Sequence, residues 1–121
     1  MSHSVVNLAD KALRIHDTWS PRVVAQMNDV QFKLVRVEGP FVWHTHDDTD
    51  EAFLVLKGAL EIELPGSSVQ VGPGELFVVP RGTRHRPVAH EPCLLMLVEP
   101  RGVVNTGDTG GEKTAENDRW I

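Results

Sequence analysis

Residues 39–58 read GPFVWHTHDDTDEAFLVLKG, and the rest of the chain can be interpreted outward from this stretch. His44 and His46 stand two residues apart near the end of a predicted strand, so their side chains point to the same face, about 7 Å apart. Residues 47–50 form a short polar loop, and Glu51 begins the next apolar run. If the loop turns the chain back, Glu51 lies beside the two histidines, where all three could bind one metal ion.

A second informative stretch, GELFVVPRGTRH, spans residues 74–85 and supplies a third imidazole. His85 follows the turn Pro80-Arg81-Gly82 at the start of another predicted strand. Three neutral histidines and one carboxylate suit Fe, Mn, Zn, Ni or Cu better than Ca or Mg, which prefer oxygen ligands. We therefore predict one divalent transition metal ion bound by His44, His46, Glu51 and His85. The remaining histidines, His3, His16 and His90, have no partner at ligand spacing and are not predicted to bind it.

Short apolar runs separated by Gly and Pro turns continue on both sides of these motifs. We expect strands near residues 22–27, 30–37, 41–46, 51–57, 59–64, 68–71, 75–79, 84–89 and 93–98. Strands so closely spaced, with no crossover helices between them, form an antiparallel sandwich or barrel. Residues 4–14 carry apolar side chains at helical spacing after a possible N-cap at Ser4, which predicts one short N-terminal helix. The predicted fold class is therefore all-β with one helix.

Two of the predicted strands, over residues 52–56 and 94–98, are apolar on both faces and therefore need a cover on each side. The barrel interior provides one cover. The other is the N-terminal helix, the C-terminal tail or a second subunit, so we expect a homodimer.

The length of 121 residues fits one domain, which we divide into an N-terminal helix and lead-in (1–20), a barrel (21–100) and a polar tail (101–121). The tail is rich in glycine and polar residues, a composition typical of flexible segments. Its end, Trp120-Ile121, is apolar. We therefore expect the tail to be partly ordered, with this end packed on the barrel or on a partner subunit.

Composition excludes several classes of function. A net charge of −5 and few clustered basic residues argue against a nucleic-acid partner. No apolar run approaches the roughly 20 residues that cross a bilayer, and no secretory signal is recognisable, so no membrane partner is expected. The single cysteine, Cys93, cannot form an internal disulfide, which favours a reducing, cytoplasmic location.

The substrate can be predicted only as a class. If the four metal ligands face inward, neighbours of the same parity such as Val42, Phe53 and Val55 face inward too, and an apolar lumen favours a small organic ligand. Arg81, in the turn before His85, is the candidate for binding a substrate carboxylate or phosphate. The alternative for Arg81 is an ordinary solvated arginine.

The two motifs resemble the two conserved motifs of the cupin family, in the pattern Gly39-(four residues)-His44-Thr45-His46-(four residues)-Glu51-(six residues)-Gly58 and Gly74-(five residues)-Pro80-Arg81-Gly82-(two residues)-His85. The resemblance implies an antiparallel double-sheet jelly-roll barrel in which His44, His46, Glu51 and His85 are the metal ligands. Two positions depart from the family pattern: Gly39 stands one residue closer to His44, and Ala89 replaces an Asn. Neither is a ligand position.

The whole chain resembles the small single-domain bacterial cupins described as mannose-6-phosphate isomerase-like, which often end in a tail similar to Asn105-Thr106-Gly107-Asp108 followed by Glu112-Lys113-Thr114. Three functions stay open. The first is a metal-dependent enzyme, of dioxygenase, isomerase or lyase type, acting on a small organic substrate. The second is a module that binds or senses a small ligand without turnover, and the third is a metal-stabilised interaction unit.

Overall fold

The strands of the protein pair antiparallel throughout, and the computed structural model describes them within residues 3–121. The first two residues of the predicted unit 1–20 lie outside this range. The elements in chain order are α1 (Leu8–Ala12), β1 (Arg22–Met27), β2 (Val30–Pro40), β3 (Glu51–Lys57), β4 (Leu60–Leu64), β5 (Ser67–Val71), β6 (Leu76–Val79) and β7 (Arg86–Pro100). One sheet path runs β1-β2-β7-β3-β6, and β4 joins β5 to β7. The predicted all-β antiparallel jelly-roll barrel with one short helix is confirmed.

Two strand predictions were wrong in detail. Residues 41–46 pair with another segment only at His44, in an isolated bridge to His85, because the regular ladder of β2 ends at Pro40. The separate strands expected at 84–89 and 93–98 form one long strand, β7. Val37 pairs with Cys93 and Gly39 pairs with Ala89, so the register with β2 shifts here and residues 90–92 have no paired residue in β2. Pro92 therefore does not interrupt β7.

The N-terminal helix is shorter than predicted and is capped by Asn7 rather than Ser4. The Asn7 Oδ1 accepts a hydrogen bond from the backbone N–H of Asp10 at 3.0 Å, which satisfies one of the free donors of the first turn. Ala12 and the following Ile15 are buried against the outer faces of β2 and β7. Leu54 and Leu56 of β3 and Met96 of β7 belong to the same apolar cluster. The helix is therefore the second cover that the strands over 52–56 and 94–98 required.

Inside the barrel, residues of β2, β7 and β3 form layers across the sheet. Val35, Leu95 and Val55 are directly paired and fully buried, and they make the centre of the apolar core. The layer two residues further along is formed by Lys33, Leu97 and Phe53. The next layer is polar and consists of Gln31, Glu99 and Glu51. Because the interior becomes polar toward this end, the predicted ligand side chains can gather there.

The C-terminal tail returns along the barrel and is ordered. The backbone N–H of Ile121 donates to the carbonyl of Val23, and Lys11 Nζ donates to the carbonyl of Ile121 at 2.9 Å. The Ile121 side chain packs, as predicted, on the apolar cluster that the helix forms with the outer face of the barrel, around Ile15, Leu34 and Met96. Trp120 differs from the prediction, since it is 53% exposed. No helix between residues 3 and 121 is long and apolar enough to cross a membrane.

Candidate metal centre

The four predicted ligands come from three segments that backbone hydrogen bonds hold together. His44 and His85 exchange a pair of N–H···O=C bonds of 3.0 and 2.9 Å, and the N–H of Gly82 donates to the carbonyl of His46. Glu51 is the first residue of β3. One ligand atom from each of the four side chains lies within 4.8 Å of all the others, so the structure brings the four predicted residues together.

The cluster is buried, and three of its polar atoms lack hydrogen-bond partners within residues 3–121. Glu51 Oε1 lies 3.5 Å from both His46 Nε2 and His85 Nε2. Among residues 3–121, none of these three buried atoms finds a hydrogen-bond partner. Leaving such groups unsatisfied is costly, and each one requires an explanation. Atoms that share one ion at about 2.1 Å are separated by roughly 3.0–3.5 Å, so a divalent cation fits the group.

Two of the histidines are held in the tautomer that binds a metal. The Nδ1 atoms of His44 and His85 lie 2.9 Å from the carbonyls of Val42 and Thr83, two residues before each ring. A carbonyl oxygen can only accept, so each Nδ1 carries the proton and donates it. Each Nε2 therefore presents a lone pair toward the cluster.

Electrostatics favour neutral imidazole and an ionised ligand carboxylate. Burial, followed by the nearby His85, lowers the pKa of His44 to about 4. Burial alone would raise the pKa of Glu51, but the contacts with His46 and His85 outweigh it and hold that pKa well below its usual range. Both groups are therefore in the protonation state that a cation requires.

Sequence reasoning missed a buried ion pair next to the cluster. Lys33 Nζ lies 3.0 Å from Glu99 Oε2, and both side chains are at most 4% exposed. Burial and the charge of Glu51 raise the pKa of Glu99 well above its ordinary value. The available signal was parity, because Lys33 shares its strand face with Val35 and Val37.

A small cavity opens from the cluster into the barrel, where His44 and Glu51 form part of its wall. The apolar part of the wall is contributed by Val35, Val37, Phe41, Phe53, Leu95 and Leu97. Phe53 faces inward as predicted, but Phe41 lines this wall in place of the predicted Val42. The cavity volume is about 30 Å³, which is room for only about two or three water molecules. Trp19, Asn105 and two prolines, Pro21 and Pro87, complete the wall. Asn105 belongs to the tail motif recognised in the sequence, whereas no sequence signal identified Trp19.

The tail contributes directly to the position of the ligand-bearing segment. The backbone N–H of Thr45 donates to Asp108 Oδ1 at 2.8 Å, and the N–H of Asp108 donates to the carbonyl of Thr45 at 3.1 Å. Gly107 has φ +55°, and a Cβ there would collide with the Thr45 carbonyl. The Thr109 hydroxyl donates to the carbonyl of Trp43. Residues 107–109 therefore hold the backbone between the first two histidines.

Arg81 lies at the surface rather than in the cavity wall. Its side chain is 66% exposed, and its Nε is 3.5 Å from Asp50 Oδ1, which also accepts its backbone N–H. Its role in binding a substrate anion stays a prediction. His3 and His16 are exposed, and His90 pairs with Glu61 at 2.9 Å on the outer surface, so none of the three joins the cluster.

Comparison with known proteins agrees with the motifs. Residues 33–99 match the cupin domain. The crystal structure of a cupin-2 domain protein from Shewanella frigidimarina is similar, with 50% identity over 80% of this chain and 95% of that chain and a TM-score of 0.79. Protein NMB1881 from Neisseria meningitidis is 31% identical over 80% of this chain and 99% of its own, with a TM-score of 0.74.

Among curated proteins, YdbB of Bacillus subtilis is 28% identical over 97 residues, which is 79% of this chain and 83% of YdbB. The matched cupin domain covers more than half of the chain and includes all four clustered side chains. The chain is therefore a member of the cupin family.

Proposed function

We propose that this cupin binds one divalent transition metal ion through His44, His46, Glu51 and His85 and uses it to transform a small organic substrate. The observation that carries the proposal is the set of three buried ligand atoms that lack a partner within residues 3–121 and gather beside an apolar cavity. An evolved core does not keep such a cluster unsatisfied without a compensating gain. The candidate ions are Fe, Mn, Zn, Ni and Cu.

The bound metal would supply an open coordination position and Lewis acidity, since four protein ligands leave one or two positions in a five- or six-coordinate ion. The protein contributes the fixed imidazole tautomers, a ligand carboxylate and a wall that excludes water. Apart from the ligands themselves, the cavity wall contains no acid or base, and the chain contains no tyrosine. This division of labour favours reactions of dioxygenase or isomerase type, in which the metal activates oxygen or polarises a carbonyl.

The competing function is binding or sensing without turnover. It is favoured by the same lack of an acid or base in the cavity wall, because a site that only holds a ligand needs neither. Turnover separates the two functions. An enzyme consumes oxygen or converts a small acid, sugar or phenol, whereas a sensor binds one of them and releases it unchanged.

The test begins with elemental analysis of the purified protein and continues with a screen of oxygen uptake and product formation. We expect close to one transition metal ion per chain in the wild type. The variant His85→Ala removes a ligand whose Nε2 is fully buried in the cluster, so most of the metal is lost. The matched control is His90→Ala, at an exposed histidine on the outer surface. Equal metal content in the two variants would reject the site.

We also propose that two copies of the chain associate through β6. Leu76 and Val78 are 61% and 47% exposed on this strand, which ends the sheet path as far as residues 3–121 show. The strand reads Leu-Phe-Val-Val and carries no charge, so two copies can pair antiparallel across a two-fold axis without repulsion. Sedimentation should give a dimer, and Val78→Lys should give a monomer. A wild-type monomer at tens of micromolar would reject this proposal.

The cytoplasmic location stays a prediction.

A further inference from the structure

Trp19 borders both the metal-facing cavity and a groove at the surface. It belongs to the wall of the inner cavity together with His44 and Glu51. It also lines a separate surface groove, whose other residues belong to 18–20 and to the tail segment 112–119. Trp19 is therefore the residue that the walls of these two spaces share, and shortening its side chain would enlarge the inner one.

The backbone of Trp19 adopts a conformation that bulky residues rarely take. Its φ is +59°, in the left-handed region, which is an outlier for a large side chain. Strained residues of this kind persist where the surroundings hold them, and they cluster at functional sites. Here three hydrogen bonds hold the residue: its N–H donates to the Arg36 carbonyl at 2.8 Å, its indole Nε1–H donates to the Glu38 carbonyl at 3.0 Å, and its own carbonyl accepts from Asn105 Nδ2 at 3.1 Å.

The indole ring also packs against an aromatic ring and a lysine side chain. It stacks on Phe41 with ring centroids 4.6 Å apart and planes 23° from parallel. The Phe41 ring in turn meets His44 edge to face at 5.4 Å. Lys113 Nζ lies 5.9 Å from the centroid of the Trp19 ring and donates to the Pro40 carbonyl. A continuous aromatic row thus runs from a metal ligand to the surface and ends at Trp19.

We propose that Trp19 is the residue that determines specificity by limiting the size of the ligand in the cavity. Apart from Glu51, the wall offers no charged side chain, so the part of the ligand that lies beyond the metal is uncharged and apolar. The cavity volume of about 30 Å³ is far smaller than the roughly 150 Å³ that accommodates benzene. The ligand class is therefore a short-chain aliphatic oxygen ligand, such as a hydroxy or keto acid of a few carbons, rather than an aromatic one.

This inference rests on the proposed metal site, so the test holds the metal-binding group constant and varies only the body of the ligand. Cobalt-loaded protein, with its cobalt content measured first, is titrated with acetohydroxamate and with benzohydroxamate while the visible spectrum is followed. The wild type should bind acetohydroxamate at least about tenfold more tightly, because the phenyl ring has no space behind the indole. The variant Trp19→Gly keeps the positive φ without strain and opens the cavity. It should bind benzohydroxamate at least about tenfold more tightly than the wild type does.

Two further variants complete the design. Trp43→Ala removes a tryptophan whose ring lies beneath Arg84 and Arg86 outside the cavity wall, and it should keep the wild-type preference. Trp19→Leu provides an intermediate volume if the glycine variant fails to fold. Equal affinity of the wild type for both hydroxamates, or an unchanged preference in the folded Trp19 variants, would overturn the role of Trp19 while leaving the metal site intact. If neither acetohydroxamate nor benzohydroxamate bound to any cobalt-loaded form of the protein, the proposed function itself would be overturned.

Discussion

Replacing Gly107 by alanine should damage the metal centre from the tail. Gly107 has φ +55°, and the added Cβ would overlap the carbonyl oxygen of Thr45 and come 3.2 Å from the His44 ring. Since the oxygen belongs to the backbone, the clash can be relieved only by moving the tail or the segment that carries His44 and His46. Either movement stretches the two hydrogen bonds between Thr45 and Asp108, of 2.8 and 3.1 Å.

The magnitude follows from these two effects. An alanine in the left-handed region costs about 1–2 kcal/mol of folding free energy. The clash with the Thr45 carbonyl and the weakening of its two hydrogen bonds with Asp108 add to this cost. The expected loss in the free energy of unfolding therefore exceeds the backbone cost of about 1–2 kcal/mol. Metal affinity should fall about 10–100-fold, as when other groups that orient metal ligands are changed.

Gly110→Ala is the matched control. Gly110 has φ +68°, but an added Cβ there meets no atom within 4 Å, so the variant carries the backbone cost alone. Thermal unfolding of both variants, with and without metal, separates the clash from the backbone effect. We expect the melting temperature of Gly107→Ala to lie about 3–8 °C below that of Gly110→Ala. Equal stability and equal metal affinity of the two variants would refute the argument that the tail holds the ligand segment.

Three other predictions concern pH, the buried pair and the chain end. In the folded protein the pKa of His44 is lowered to about 4 from about 6.5. The contribution of this group to the stability of the metal-free protein should therefore be complete above pH 6.5 and should be lost as the pH falls toward 4. Urea midpoints measured across this range check the sign. Lys33→Met leaves the buried Glu99 without its cation and should lower the free energy of unfolding increasingly as the pH rises, because the pKa of Glu99 is already raised by burial and the carboxylate would lose its partner. Adding Glu99→Gln should remove this pH dependence; the same urea midpoint for the single and double variants at every pH would contradict it. Deleting residues 120–121 removes the apolar contact of Ile121 and should lower stability by about 2 kcal/mol, measured by thermal unfolding; protease trimming without loss of stability would instead mean that the end is free.

The ligand set could be predicted from the sequence because each motif is local. His44 and His46 are related by strand parity, and Glu51 follows after one short loop. Spacing alone therefore limits the geometry of these three residues. His85 lies 34 residues beyond Glu51, and its place beside them followed from the resemblance to the second cupin motif, with its proline-glycine turn. The apolar lumen followed from the alternation of Phe53 and Val55 in β3.

The surroundings of the site could not be predicted, because they depend on contacts between segments far apart in the chain. Trp19 and Asn105 are separated by 86 residues, yet the Asn105 side chain donates to the Trp19 carbonyl. Composition assigned the tail to flexible segments because glycine and polar residues dominate it. In the structure those residues are used for hydrogen bonds, and Thr106 is fully buried. Tertiary partners therefore decided the outcome where local preference was weak.

The attachment of residues 107–109 to Thr45 and Trp43 has a consequence for the order of biosynthesis. His44 and His46 are synthesised about sixty residues before the segment that braces their backbone. A nascent chain that has not yet been extended through residue 109 lacks this brace, and its histidines are free to adopt other arrangements. The proposed site would therefore reach its final geometry only after residues 107–109 have joined the barrel, and a stop codon shortly before Gly107 would yield a barrel with reduced affinity for the proposed ion.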